Sequence, residues 1–152
     1  MDAGDIPSWL ALLLSIGSLG WQGWTEHKKS AQETATKRLG RLRKCEEAVN
    51  SVRQAAMAYW LQPEELSAQQ GLQLIHNLRE LSRCATRYKQ LLWDTAERDV
   101  LQLKIKTTGT DFQQSERRVL SPGDPFVSDF CACATVLCLR IRNLLDDQED
   151  LD

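Results

Sequence analysis

Apolar residues recur along this chain at alternating spacings of four and three, which is the period of one face of an α-helix. The first such seam runs Ala31, Ala35, Arg38, Leu42, Cys45, Val49, Val52, Ala56 and Tyr59, interrupted once, at Arg38. A second runs Leu74, Leu78, Leu81, Ala85, Tyr88, Leu92 and Thr95, and predicts a helix reaching about residue 106. The third is Phe126, Phe130, Ala134, Leu137, Ile141 and Leu144. Seams of this shape belong to helical bundles and coiled coils. Leu101, Leu103 and Ile105 also alternate with polar neighbours, so a short strand stands as the alternative for that stretch.

Punctuation between the seams agrees with this reading. Leu61-Gln62-Pro63-Glu64-Glu65 reads as a turn that opens a helix, and Ser67 with Gln70 fits a capping box. Residues 107–124 begin with Thr107-Thr108-Gly109-Thr110 and close with Ser121-Pro122-Gly123-Asp124, loop signals at both ends. Asp124-Pro125 then supplies an N-cap followed by proline at the first helical position. The expected fold is all-α, with about three long helices after residue 27. Their narrow seams predict a core completed between subunits, hence a homo-oligomer.

The N-terminus follows a different pattern. No charged residue lies between Ile6 and Trp24, and Asp5 and Glu26 bound the stretch. At 1.5 Å per residue it makes about 28 Å of helix, the thickness of a bilayer core. Trp9 near one end and Trp21 and Trp24 near the other are placed as interface anchors. These features predict a single transmembrane helix, dividing the chain into a tail and span at 1–27 and a helical domain at 28–152. A cleaved signal peptide ending at Ser18-Leu19-Gly20 is one alternative, though Met-Asp-Ala-Gly-Asp is an acidic leader and signal peptides want a basic one. A buried core helix is another, because serine and glycine dilute the stretch.

Charge sets the expected orientation. No Lys or Arg precedes the span, whereas Lys28, Lys29, Lys37, Arg38, Arg41, Arg43 and Lys44 follow it. The positive-inside rule then puts the N-terminus outside and the helical domain in the cytoplasm, with the span in the plasma (inner) membrane. Lys28, Lys29, Lys37, Arg38, Arg41 and Lys44 form a basic juxtamembrane surface suited to anionic lipid. Nucleic acid is the competing partner, but no aromatic side chains interleave with these charges. Within the span, Ser8, Ala11, Ser15, Ser18 and Gln22 step by three and four residues and fall on one helix face. In lipid such a stripe favours helix association, and a water-lined pore is its sharper form. A lone helix whose hydroxyls bond back to its own carbonyls is the simpler alternative.

Composition narrows the chemistry. The net charge of −2 over 152 residues is no signature of a nucleic-acid binder. Five cysteines, an odd number all placed after the apolar stretch, fit a reducing compartment better than a disulfide framework. Cys131 and Cys133 point to different helix faces, and Cys131 and Cys138 stand roughly 10 Å apart on one. No tetrahedral metal set assembles from them, and buried apolar roles are expected. His27 and His76 are both expected to be solvated. No Walker-type P-loop and no GxSxG turn occurs, and neither cofactor nor catalytic residue is expected.

One short motif carries a resemblance. Arg142-Asn143-Leu144-Leu145-Asp146-Asp147 resembles the arginine, polar residue, three others, histidine pattern of HEPN-type helical ribonucleases. Asp147 stands where that family has histidine, and no histidine follows, which removes the general acid–base group of RNA cleavage. The resemblance covers six residues and implies a helical RNA-acting protein with a degenerate motif. The leading expectation is a non-enzymatic, membrane-anchored interaction or effector protein that self-associates, binds protein partners in the cytoplasm and perturbs the membrane when assembled. Small anchored helical effectors of bacterial anti-phage systems share that architecture.

Overall fold

The chain folds into four α-helices in the computed structural model, which describes residues 6–63, 67–109, 112–113 and 118–149, with side chains over 33–63, 68–109, 112–113 and 118–147. Helix α1 spans Ile6–Leu61, α2 Ser67–Arg87, α3 Ala96–Thr108 and α4 Pro125–Glu149, and a 3-10 turn at Lys89–Leu91 lies between α2 and α3. No strand occurs among the described residues, so Leu101, Leu103 and Ile105 are helical. Contacts divide the chain into Met1–Lys37 and Arg38–Asp152, and the packed core lies in the second unit.

The core forms where the seams place it. Leu42, Cys45, Val49, Val52, Ala56 and Tyr59 of α1 are buried, as are Leu74, Leu78, Leu81 and Ala85 of α2. On α4, Phe130, Ala134, Leu137 and Ile141 close the same cluster. Arg38, the interruption of the first seam, is exposed. Polar ties fix the register between helices. Asn77 Nδ2 donates to Ser51 O at 3.0 Å, and Cys138 Sγ donates to Asn50 Oδ1 at 3.7 Å. Gly71 lets α2 approach α1, since a Cβ there would meet Tyr59 Cε2 at 3.2 Å.

The second seam departs from expectation. It predicts one helix to about residue 106, but α2 stops at Arg87 and α3 starts afresh at Ala96. Tyr88 and Leu92 are half-buried, and Thr95 is exposed. The break brings Trp93 to Asp99, whose Oδ2 accepts from Trp93 Nε1 at 2.7 Å, Thr95 Oγ1 at 3.2 Å and Arg140 Nη1 at 2.5 Å. In an unbroken helix residues 93 and 99 would stand about 9 Å apart along the axis, too far to bond. Arg140 also lies over the Trp93 ring, 5.4 Å from its centroid. The restart carries Glu97 and Asp99 in the first turn, where the helix dipole favours negative charge.

The start of α4 follows the sequence. Asp124 Oδ1 accepts from Phe126 N at 2.9 Å, and Pro125 opens the helix. The connection before it is gripped by the end of α1. Trp60 Nε1 donates to Thr107 O at 2.8 Å, Trp60 O accepts from Leu120 N at 2.9 Å, and Tyr59 Oη accepts from Gln113 N at 3.1 Å. Edge-on ring pairs continue the grip: Trp60 with Phe126 at 5.0 Å and Phe126 with Phe130 at 5.8 Å between centroids.

No helix among the described residues is long and apolar enough to cross a membrane. The expectation of a spanning helix at residues 6–24 is therefore unsupported. The sequence supplies the reason: Ser8, Ser15, Gly17, Ser18, Gly20, Gln22 and Gly23 dilute the leucines. Helix α1 passes through Gly20, Gly23 and Gly40 without a break.

Candidate functional site

Three groups of residues stand out in the sequence, and the structure treats them differently. The side chains of Ser8, Ala11, Ser15, Ser18 and Gln22, of Trp9, Trp21 and Trp24, and of Lys28 and Lys29 lie outside the described residues, as does that of His27. Lys37, Arg38, Arg41 and Lys44 of the basic surface are exposed. Lys37 Nζ reaches Glu33 Oε2 at 3.5 Å, and Arg41 lies over the Tyr88 ring at 5.9 Å. Arg41 thus sits where α1 meets the end of α2, with its guanidinium over an aromatic face.

Arg142, Asn143 and Asp147 are all exposed on α4. Arg142 Nε donates to Glu46 Oε1 at 2.6 Å, which ties α4 to α1 and raises the arginine's affinity for its proton. His76, on α2, is exposed and belongs to no group with Arg142.

The cysteines serve the core. Cys45 and Cys138 are buried, and Cys84, Cys131 and Cys133 are half-buried. Burial pushes all five thiols up, and Cys45 reaches about 12, with the neighbouring Cys84 thiol adding to the shift. No group of three or more His, Cys, Asp or Glu residues able to hold a metal ion is found among the described residues. A pH effect follows. The unfolded Cys45 thiol ionises near its ordinary value of 9.0, whereas the folded one stays protonated to about 12. The stability that the neutral thiol contributes is whole below pH 9 and is lost as pH rises towards 12. Urea unfolding of the wild type should show a loss of about 1 kcal/mol from this thiol between pH 8 and pH 10. A Cys45→Ala variant should show a correspondingly flatter dependence; equal slopes in the two proteins would refute the assignment.

Two surface features were missed by reading the seams alone. The first is on α4, where Ala132, Val136 and Leu139 step by four and three residues on the side turned away from Phe130, Ala134 and Leu137. Val136 is 50% exposed and Leu139 52%. A cavity of about 350 Å³ flanks this strip, lined by Asp99, Lys106, Asp129, Cys133, Val136 and Arg140. The signal was present in the sequence as a second 4-3 pattern, hidden beneath the stronger one. The second feature is a cavity of about 650 Å³ between α2 and α3, lined by Ile75, Leu78, Arg79, Ser82, Arg83, Lys104, Thr108, Gly109 and Phe112. Its residues come from two helices and the start of a loop, so only the fold assembles it. No protein-family model, curated protein or solved structure matches the chain.

Proposed function

We propose that the chain is a non-enzymatic, self-associating helical protein that works at a membrane. The observation that carries this reading is the outward strip of Ala132, Val136 and Leu139. It gives α4 a second apolar seam, opposite the one that its own chain fills. A seam of this spacing is completed by another helix, and a second copy of the same strip offers matching shape and chemistry.

Self-association also bears on the membrane. A single helix carrying Ser8, Ser15, Ser18 and Gln22 inserts poorly, because each polar group must find a partner in lipid. Clustered bundles bring several such helices together, and their stripes can then satisfy one another. Trp9, Trp21 and Trp24 would anchor the interface, and Lys28, Lys29, Lys37, Arg38, Arg41 and Lys44 would face anionic lipid. Membrane insertion in this reading depends on assembly, and raised permeability is its effector outcome.

The test is made on the full chain in cells and in mild detergent. Wild type should stay with carbonate-washed membranes and show more than one copy by native mass spectrometry. The double substitution Val136→Asp, Leu139→Asp should give a monomer that carbonate releases, with its helical circular dichroism retained. A wild type that is monomeric at micromolar concentration, or that carbonate strips completely, rejects the reading.

A further inference from the structure

The cavity between α2 and α3 gathers cationic and apolar side chains. Arg79 and Arg83 stand one turn apart on α2, and Lys104 faces them from α3. No acidic side chain lines the cavity among the described residues. Arg83 is paired with Glu80 at the rim, whereas neither Arg79 nor Lys104 is held in an ion pair among the described residues. Arg79 and Lys104 thus bring like charge to one cavity, with the Arg83–Glu80 pair beside them, and a bound anion relieves the repulsion. Arginine pairs are suited to phosphate, because the planar guanidinium donates two parallel bonds to its oxygens.

The remaining walls are apolar. Ile75 and Phe112 lie beside the cations, and Phe112 is half-buried with its ring tilted against Tyr59 at 5.0 Å between centroids. A volume of about 650 Å³ is in the range that holds a small organic ligand. Inorganic phosphate alone would satisfy the cations and leave the apolar end empty. A ligand with an anionic head and a flat apolar body satisfies both ends.

We propose that the cavity between α2 and α3 binds a nucleoside phosphate, with the phosphates on Arg79, Arg83 and Lys104 and the base against Ile75 and Phe112. The site goes beyond the self-association reading and does not depend on it, since none of its residues belongs to the α4 strip. In such a site side chains, rather than the backbone N–H groups of a glycine-rich loop, hold the phosphates.

Isothermal titration of the full chain with ATP, AMP and inorganic pyrophosphate, at about 50 mM salt, tests the site. ATP should bind saturably and raise the melting temperature. Arg79→Ala and Lys104→Ala should each weaken ATP at least tenfold, with the melting temperature of the unliganded protein unchanged because both side chains are exposed. Arg98→Ala, which removes an exposed α3 cation outside the cavity, should leave binding intact. Pyrophosphate should bind more weakly than ATP, since it lacks the base. Three results would overturn the proposal: no ATP binding at millimolar concentration, equal weakening by Arg98→Ala, or pyrophosphate binding as tightly as ATP.

Discussion

Replacing Trp60 by alanine is expected to lower folding stability by about 3–5 kcal/mol, a large part of the roughly 5–15 kcal/mol that holds an ordinary domain together. The side chain is 3% exposed and packs edge-on against Tyr59 and Phe126. Truncation removes both ring contacts and leaves a void that helices on either side cannot close without moving. It also removes the indole N–H that bonds Thr107 O. Trp60→Phe keeps one ring in place while deleting the donor and part of the indole's volume, and should cost about 1–3 kcal/mol. Urea unfolding followed by helical circular dichroism gives both values. If Trp60→Ala unfolds within about 1 kcal/mol of wild type, the grip of Trp60 is not a stabilising element.

The second large effect is at Gly109, where alanine should cost about 2–4 kcal/mol by the sum of two penalties. The backbone there has φ 57° and ψ −168°, a region that residues with a side chain rarely enter. A Cβ would also stand 2.9 Å from Phe126 Cε2, and that ring is pinned between Trp60 and Phe130. Gly123→Ala is the comparison, because a Cβ at Gly123 meets nothing within 4 Å. Parallel denaturation curves should place Gly109→Ala well below wild type and Gly123→Ala beside it. Similar losses in the two variants would show that the cost is a general one of replacing loop glycines.

Sequence periodicity located most of the core, since burial of one helix face repeats whatever the partner helix is. Val49, Leu78 and Phe130 were legible for that reason. The break after Arg87 was not, because no glycine or proline marks it. It accompanies the convergence of Trp93, Thr95 and Arg140 on Asp99, and Arg140 lies 41 residues away from that carboxylate. Acidic residues two and four positions after Thr95 were the only local hint. The grip of Trp60 was hidden for the same reason: a tryptophan one position after Tyr59 reads as a neighbour of the seam, and nothing nearby discloses a bond to residue 107. Arg79 and Lys104 each look like ordinary solvated charges on their own helices. Their meeting across a cavity is a property of the fold.

The long reach of the α1 contacts also has a consequence during synthesis. Asn50 and Glu46 meet Cys138 and Arg142, partners made 88 and 96 residues later. At about 5–20 residues per second, the apolar face around Val49 and Val52 waits roughly 4–20 s for the helix that covers it. During that interval α2 can already pack on α1 through Asn77 and Ser51, and the part of the α1 face that α4 covers stays open to chaperones. No chain can close the core around Val49 and Val52 until residues 138–142 have been made.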